Sequence, residues 1–492
     1  MSDMSDDCEL IVVGGGPGGA ALATFVAMQG HRVILLEKEK FPRYQVGESL
    51  LPATIHGICP LLGVSEEVRS AKFMRKLGGT FRWGRNPEPW TFSFAMSPTM
   101  PGPTGFAYQV ERSRFDWILL ENARRRGVEV REQAQVTAVT VEDARVSGVS
   151  VVEQSGREYQ LKGRYVADSS GNTSRIYKAV ADRVYSKLFR NVALYGYYEG
   201  GERLPSPAEG NALAVAFEGG WLWYIPLSAT LTSVGAVVDR EHARHIRGRE
   251  EETLHRFIDA CPMVKSCLRN ASRVTHGQYG QLRIRTDYSY CCSSFWRPGM
   301  VLIGDAACFV DPVFSSGVHL ATYGALLAAR SINSSLKGDI EEDRAFSEFE
   351  IRYRREFGNF YQFLAAFYDL EQDTSSYFWS ARKLLNSEEP ANEAFVRLVA
   401  GIGASGEPLF GSIEELAEAT GRVSNSFTRA QGRGVGTFDQ RLLDAPFMAR
   451  LMREAVQLQM RGLTGDVGPE APIWPLGLVP SADGLHWRAM SA

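Results

Sequence analysis

The sequence of 492 residues predicts an α/β fold built on a parallel sheet. One observation is a short apolar stretch, residues 9–13, that runs into a glycine-rich turn and then an alanine-rich helical pattern ending near Met28. The other is a second apolar strand, residues 32–36, followed at once by Glu37, which stands 18 residues beyond Gly19. This order of strand, glycine turn, helix, strand and acid is typical of a Rossmann-like fold.

In a Rossmann-like fold the glycine turn, here GGGPGG, binds the pyrophosphate of a dinucleotide. Glycines let the backbone approach a pyrophosphate, and the free N–H groups at the start of the following helix favour its negative charge. A carboxylate at the end of the second strand accepts hydrogen bonds from ribose hydroxyls. The predicted nucleotide-binding residues of this segment are Gly14, Gly16, Pro17, Gly18, Gly19, Glu37 and Lys38.

A second glycine-rich stretch, GIGASG at 401–406, is not predicted to bind a nucleotide, because a helical pattern rather than a strand precedes it. It is expected to be a helix end followed by a loop. The chain therefore has one predicted dinucleotide site and no evident second site for a nicotinamide cofactor.

The composition argues against several classes of function. The net charge of −3 offers no general attraction to nucleic acid or to an anionic membrane. No apolar run reaches the roughly 18 residues of a membrane span, and the acidic N-terminus does not resemble a secretory signal. The seven cysteines include no CxxC pair, which favours reduced thiols and no metal site. We expect a cytoplasmic protein.

Residues 299–317, GMVLIGDAACFVDPVFSSG, indicate which dinucleotide binds. An apolar strand at 300–303 runs into Gly304 and Asp305, which resembles the second flavin motif of the glutathione-reductase-like and aromatic-hydroxylase-like flavoproteins. The resemblance implies FAD, with Asp305 at its ribityl chain and with N–H groups of the helix beginning near Gly317 directed at the isoalloxazine ring. Together with the motifs GES and ERSRFD, it implies that FAD is also lined by Glu48, Ser49, Arg112, Pro312, Gly317 and Val318.

The stretch WLWYIP, residues 221–226, carries two tryptophans one residue apart. Alternate residues of a strand project from one face, so Trp221 and Trp223 would cover a large patch, and core packing is the simpler explanation. The stretch also matches the WxWxIP signature of the flavin-dependent halogenases, a family that residues 8–375 resemble. The resemblance implies that both rings form a barrier between the flavin and the organic substrate.

Residues 73–84, FMRKLGGTFRWG, look like the lysine segment of the same family. They point to Lys76 as the active-site lysine. An exposed position on a helix is the alternative for this residue, and Lys72 is a rival one turn away. The K-x-G-G context favours Lys76.

Within the family the chain looks most like the chondrochloren type, in the branch that acts on phenolic or pyrrolic substrates held on carrier proteins. Tryptophan halogenases carry a glutamate in PLESTG, whereas this chain has Phe314 in PVFSSG. Without that carboxylate free tryptophan is a poor candidate substrate, whereas the oxygen of a phenol activates its own ring. The resemblance places the halide at Ser316 and Gly317, where a hydroxyl and backbone amides hold an anion.

The resemblance further implies a reaction in stages. FAD reduced by a separate flavin reductase forms a C4a-hydroperoxide, chloride is oxidised to hypochlorous acid, and Lys76 directs the chlorine as a hydrogen-bonded acid or as a chloramine. The implied substrate is an electron-rich aromatic such as a tyrosine-derived phenol on a peptidyl carrier protein, in natural-product biosynthesis. His319 is a candidate proton shuttle, although a histidine at a helix start is more often structural.

Two other functions stay open. An FAD-dependent aromatic hydroxylase would share the fold but would need neither Lys76 nor the tryptophan barrier. A non-catalytic flavin-binding protein would share only the nucleotide site.

The expected organisation is a halogenase-like core at 1–375 followed by a helical and loop region at 376–492. Nucleotide-binding segments are expected at about 1–85, 106–185 and 286–335, and an inserted antiparallel substrate-side sheet at about 86–105 and 186–285. Aromatic residues at helical spacing between 353 and 368 are expected to be core. The glycine- and proline-rich tail from Gly462 is expected to wrap the surface.

Overall fold

The computed structural model describes residues 8–84, 88–97, 104–368, 391–402 and 476–490. Most of the predicted C-terminal region, and part of the segment at 86–105, lie outside these residues. The strands are, in chain order, β1 (Cys8–Val13), β2 (Val33–Glu37), β3 (Met74–Lys76), β4 (Gly78–Arg82), β5 (Trp90–Ser93), β6 (Ala107–Gln109), β7 (Glu129–Glu132), β8 (Ala134–Glu142), β9 (Arg145–Glu153), β10 (Glu158–Asp168), β11 (Arg183–Glu199), β12 (Ala212–Phe217), β13 (Gly220–Pro226), β14 (Leu231–Val238), β15 (Ser272–Arg273), β16 (Arg283–Cys292), β17 (Trp296–Arg297), β18 (Met300–Leu302), β19 (Cys308–Phe309), β20 (Leu478–Pro480) and β21 (Trp487–Ala489). The α-helices are α1 (Pro17–Ala27), α2 (Cys59–Leu62), α3 (Ser65–Ser70), α4 (Arg112–Arg125), α5 (Arg240–Ala243), α6 (Glu250–Asp259), α7 (Pro262–Cys267), α8 (Gly317–Lys337), α9 (Glu342–Phe367) and α10 (Ala391–Val399).

The first sheet is the predicted nucleotide-binding sheet. In the described part of the chain its order is β17-β18-β10-β1-β2-β7, with β8 and β9 attached to β10 as an antiparallel ribbon. The strands β18, β10, β1, β2 and β7 run parallel. Strand β1 is apolar along almost its whole length because a parallel sheet is covered by helices on its faces, and α1 packs against both α8 and α4. The predicted parallel α/β fold is confirmed.

The second sheet, of nine strands among the described residues, forms the wall opposite the nucleotide-binding sheet. Its order is β19-β16-β11-β14-β13-β12-β4-β5, with β15 beside β11. All of these pairs are antiparallel except β4 with β12, which run parallel. Strand β4 lies in a segment predicted to bind the nucleotide but belongs to this sheet. It pairs in parallel with β12 and antiparallel with β5, and the hydrogen bonds to β12 join it to the second sheet.

WLWYIP forms β13, near the middle of the second sheet. The neighbouring strand β14 places Gly235 directly opposite Trp223. A Cβ atom at Gly235 would lie 2.4 Å from the Trp223 ring and 2.3 Å from the Cβ of Tyr195. The indole therefore lies over a position where only a glycine fits.

Helix α9 and the C-terminal hairpin complete the core. The aromatic residues predicted to be core on α9 are buried from Tyr353 to Phe367, which confirms that expectation, and Tyr368 is half-buried at the end of the helix. The described part of the tail, residues 476–490, does not simply wrap the surface. Its hairpin β20–β21 buries Trp487, and the indole N–H of Trp487 donates to Ser331 Oγ over 2.9 Å. A buried indole needs an acceptor for its one N–H group, and the serine hydroxyl provides it.

Two further observations concern the described residues alone. None of their helices is both long and apolar enough to cross a membrane. No group of three histidine, cysteine, aspartate or glutamate side chains among them is arranged to hold a metal ion.

Candidate active site

A cavity of about 410 Å³ lies between the glycine turn of the first sheet and the inner face of the second. Every predicted cofactor-binding residue except Gly19 lines it, and so do Trp221 and Trp223. Lys76 and Ser316 do not line it. A wider, open cleft of about 900 Å³ lies elsewhere, beside Phe217 and Arg256, and is lined by none of the predicted site residues. The smaller cavity is therefore the candidate site.

The glycine turn forms a close-packed cradle at one end of the cavity. Gly14 has a φ of +102°, and a Cβ there would lie 2.6 Å from the carbonyl oxygen of Ser169. Gly19 lies one layer behind, where a Cβ would lie 1.9 Å from the carbonyl oxygen of Gly14. Gly19 thus lets helix α1 pack tightly on the turn, while the N-terminus of α1 points into the cavity.

Glu37 is buried at the end of β2 and braces the same turn. Its Oε2 accepts from the N–H of Gly15 over 2.7 Å, and its Oε1 accepts from the N–H of Glu39 over 2.8 Å. Each carboxylate oxygen has a further lone pair, so a ribose hydroxyl could still donate to Glu37. Lys38 follows at the rim of the cavity with its side chain exposed.

Arg112 is held by a carboxylate that sequence reasoning missed. It donates to both oxygens of Asp116, over 2.7 and 3.0 Å, and to the carbonyl oxygen of Val46 over 2.8 Å. Asp116 is fully buried and also accepts from Arg43 over 3.1 Å. The spacing of four residues on α4 could have suggested the pairing with Arg112. Nothing local points to Arg43, whose guanidinium lies within 3.4 Å of a Cβ placed on Gly16.

Asp305 also lines the cavity, and the neighbouring Gly304 and Gly18 of the glycine turn both lie against Ala321. Its Oδ2 accepts from Arg285 over 3.2 Å. Burial raises the pKa of the Asp305 carboxyl, and the guanidiniums of Arg285 and Arg112 oppose that shift. Arg285 is a second cavity residue that the sequence did not reveal, because it lies on β16, away from any motif.

These features fit a dinucleotide with a flavin at one end. The close-packed glycine turn and the N-terminus of α1 suit a pyrophosphate, Glu37 suits a ribose, and Asp305 suits the hydroxyls of a ribityl chain. The N-terminal residues of α8, Gly317 and Val318, also line the cavity. The residues present therefore fit FAD.

Lys76 is buried just behind the cavity wall. It ends strand β3, where alternation exposes Arg75 and turns Lys76 inward. Its Nζ donates to Ser49 Oγ over 2.9 Å and to the carbonyl oxygen of Leu50 over 3.1 Å, and it lies 5.4 Å from the centre of the Phe94 ring. Burial lowers the pKa of Lys76 to about 7. The alternative of an exposed helical lysine is wrong, whereas Lys72 is exposed.

The loop between Asp305 and α8 carries the predicted halide site. Gly317 lines the cavity, but Ser316 is buried behind it, and the serine that lines the cavity is Ser315. Phe314 packs against Phe363 and Phe367, with ring centres 4.9 and 4.8 Å apart. An aromatic cluster thus surrounds position 314.

His319 does not line the cavity. Its Nε2 lies 2.7 Å from Glu356 Oε1, and both side chains are buried. This pairing is consistent with a structural role for the histidine.

The two tryptophans lie side by side on the cavity wall, with ring centres 6.1 Å apart. Each indole N–H is hydrogen-bonded: Trp221 donates to Tyr368 Oη over 2.7 Å, and Trp223 donates to Ser233 Oγ over 3.1 Å. Both rings are also part of the main core. Trp221 and Trp223 are therefore core residues and also line the cavity.

The fold and the site define a flavoprotein with one dinucleotide cradle in the described part of the chain and a buried lysine beside it. The chain belongs to the tryptophan halogenase family, which it matches over residues 9–104 and 96–417. It is thus a flavin-dependent halogenase, with FAD as its cofactor.

Similar proteins support this assignment. The tryptophan 2-halogenase of Chondromyces crocatus is 32% identical over 406 residues, which are 80% of this chain and 76% of the relative. The solved structure of the myxobacterial chondrochloren halogenase CndH, described as a new variant of FAD-dependent halogenases, is 54% identical with a TM-score of 0.76 and covers 98% of this chain and 100% of its own. The flavin-dependent halogenase CmlS is 32% identical with a TM-score of 0.69, over 87% of this chain and 78% of its own. The predicted resemblance to the chondrochloren type is confirmed.

Proposed function

We propose that this flavin-dependent halogenase chlorinates an electron-rich aromatic ring, and that Lys76 delivers the chlorine. The substrate we propose is a phenol, derived from tyrosine and held on a peptidyl carrier protein, in natural-product biosynthesis. The observation that carries the proposal is the position of Lys76, which is buried and hydrogen-bonded to a serine of the cofactor cavity.

The surroundings of Lys76 suit a residue that handles an oxidant. Among the described residues no carboxylate forms an ion pair with it, and its charge is compensated by Ser49 Oγ, a carbonyl oxygen and the face of the Phe94 ring. With a pKa near 7, both protonation states are populated at neutral pH. The ammonium can donate a hydrogen bond to hypochlorous acid, whereas the neutral amine can react with it to give a chloramine and water.

The cavity wall separates the two ends of the reaction. Bound and reduced FAD supplies the two electrons with which oxygen is activated for halide oxidation. In our proposal the backbone at Gly317, with Ser316 behind it, holds the halide at the start of α8. Trp221 and Trp223 block the direct path from the flavin to the organic substrate. Lys76, behind Ser49, then receives the oxidant.

The aromatic cluster around Phe314 supports a phenol rather than free tryptophan. Phe363 and Phe367 fill the space beside it, so position 314 offers no carboxylate to activate or orient an indole. A phenol needs no such partner because its own oxygen activates the ring.

Two protein partners belong to the proposal. Only one glycine cradle occurs among the described residues, and it is assigned to FAD, so a separate flavin reductase would supply the electrons. A peptidyl carrier protein would present the substrate. A cytoplasmic location stays a prediction from the sequence.

The test is product analysis by mass spectrometry. The enzyme, a flavin reductase, oxygen and either chloride or bromide are incubated with a tyrosine-derived phenol, once free and once attached to a carrier protein. We expect a product that has gained chlorine, in higher yield from the carrier-bound phenol. A product that has gained only oxygen would favour an aromatic hydroxylase instead.

A further inference from the structure

A chain of short hydrogen bonds joins the tryptophan wall to the loop that precedes α8. The indole N–H of Trp221 donates to Tyr368 Oη over 2.7 Å, and Tyr368 Oη donates to Asp311 Oδ2 over 2.7 Å. Trp221 and Asp311 are buried, and Tyr368 is half-buried at the end of α9. The chain connects three elements that are far apart in sequence.

The direction of these bonds follows from the groups themselves. An indole N–H can only donate, so the oxygen of Tyr368 must accept from Trp221. The single hydroxyl hydrogen of Tyr368 is then directed at Asp311. A hydrogen bond to a carboxylate is stronger than one between neutral groups. Asp311 therefore holds the hydroxyl of Tyr368 in one orientation, and this hydroxyl holds the indole of Trp221.

Asp311 also controls the cavity loop. Its Oδ1 accepts from the N–H of Val313 over 3.1 Å and so caps the short helix at Pro312–Phe314, while its Oδ2 accepts from Asn191 as well, over 3.2 Å. Pro312 and Val313 line the cavity. Burial raises the pKa of Asp311, which the hydrogen bonds from Tyr368 and Val313 oppose.

We infer that Asp311 and Tyr368 are positioning residues that hold the Trp221 ring in place on the cavity wall. Through that ring they set how much oxidant crosses towards Lys76 and how much escapes. The inference rests on the proposed barrier role of Trp221. Nothing in the motif WLWYIP itself indicates either positioning residue, since they lie 90 and 147 residues further along the chain.

Tyr368→Phe is the main test, because it removes the hydroxyl and keeps the ring. Tyr361→Phe is a matched control: Tyr361 lies on the same face of α9 and packs on Phe189 as Tyr368 does, but its hydroxyl is bonded to Ser186. In apoprotein labelled with ¹⁵N-tryptophan, the Trp221 indole signal, assigned with Trp221→Phe, should shift in Tyr368→Phe and stay in place in Tyr361→Phe.

Oxidant release is measured with reduced FAD, oxygen, chloride and monochlorodimedone, a small trap for free hypochlorous acid. Tyr368→Phe should raise the trapped oxidant per oxygen consumed about fivefold, the population change expected for the loss of one hydrogen bond. When Tyr368→Phe is combined with Trp221→Phe, the trapped oxidant should not rise further, because the effects of residues that act through one another are not additive.

Asp311→Asn separates the two ends of the network. An amide cannot accept on both sides, and its oxygen keeps two bonds when it faces Tyr368 and Asn191, so the cap on the N–H of Val313 is the bond that is lost. We expect FAD binding to the apoprotein to weaken several-fold in Asp311→Asn and to stay within about twofold in Tyr368→Phe, whose hydroxyl does not touch the loop backbone.

The outcomes distinguish the inference from the barrier itself. If Trp221→Phe releases no more oxidant than the parent, the barrier role falls and the inference falls with it. If Trp221→Phe leaks but Tyr368→Phe does not, or if Tyr368→Phe leaks equally in both backgrounds, the positioning role alone is overturned.

Discussion

Lys76 Nζ donates to Ser49 Oγ over 2.9 Å, and Ser49 is part of the cofactor cavity wall. The lysine therefore stands one side chain away from the cavity without lining it. This arrangement places a buried amine with a pKa of about 7 directly behind a residue of the cavity wall. The relationship between these two residues underlies the first two predictions.

Lys76→Ala should separate oxygen consumption from halogenation. Oxygen use depends on the cofactor cavity, which keeps its lining, whereas chlorine transfer loses the group that positions the oxidant. Loss of a positioned proton donor typically costs about 10² to 10⁴ in rate, so chlorinated product should fall by about that factor. An oxygen electrode and mass spectrometry of the product measure the two steps.

Lys72→Ala is the matched control for that experiment, because Lys72 is exposed and lies four residues away. It should halogenate at the parent rate. Parent-like halogenation by Lys76→Ala with FAD bound would remove Lys76 from the mechanism and favour an aromatic hydroxylase.

Lys76→Met should stabilise the protein while abolishing halogenation. An unfolded lysine has a pKa of 10.5, whereas burial lowers that of Lys76 to about 7. Between these values the unfolded state binds more protons, so the unfolding free energy of the parent falls as the pH falls towards 7. Each pKa unit corresponds to about 1.4 kcal/mol. Since the carbonyl oxygen of Leu50 loses a donor, we expect a net gain of about 1–3 kcal/mol at pH 7.

The pH dependence of that gain is the diagnostic measurement. Denaturant unfolding of parent and Lys76→Met should differ most at and below pH 7, and the difference should shrink as the pH rises towards 10. A difference that does not vary with pH would show that Lys76 is not buried as a shifted amine.

Replacing both Trp221 and Trp223 with alanine should affect stability and product formation together. Both rings belong to the main core, and each buried tryptophan lost costs about 3–5 kcal/mol. The surviving flavoprotein should also release free oxidant or hydroxylate small phenols, because the cavity wall is open. A melting curve and a product assay measure the two effects.

Trp487→Ala is the control for destabilisation alone, since Trp487 is buried in the C-terminal hairpin and does not line the cavity. It should lower the melting temperature without changing the products. Unchanged products from the surviving double variant would leave the two tryptophans with a purely structural role.

The purified protein should not accept electrons from a nicotinamide cofactor. Its one described glycine cradle is assigned to FAD, and the described residues offer no second cradle for NADH or NADPH. Mixed with either under anaerobic conditions, the bound flavin should stay oxidised, as followed by its visible absorbance. Addition of a flavin reductase should bleach it, and bleaching without the reductase would contradict the prediction.

The sequence by itself determined the features that depend on neighbouring residues. The glycine turn, the acid after β2 and the period of the strands follow from local backbone geometry, and the structure places nearly all of the predicted cofactor residues around one cavity. The WxWxIP motif and the lysine segment could also be recognised in the sequence, because each is a continuous stretch of residues. The helix end before GIGASG was also predictable: α10 ends at Val399 and Gly401 has a φ of +80°, while residues 403–406 lie outside the described residues.

Only the tertiary structure decided which distant groups meet. Asp116 accepts a hydrogen bond from Arg43, 73 residues earlier in the chain. Trp221 is connected to Asp311 through Tyr368, which lies 147 residues after Trp221. No local pattern encodes such contacts, because they depend on how the sheets and α9 pack. The protonation of Lys76 also depends on the tertiary structure. The sequence shows a lysine at this position, but its pKa is lowered by burial behind the cavity wall, and only the assembled fold provides that burial.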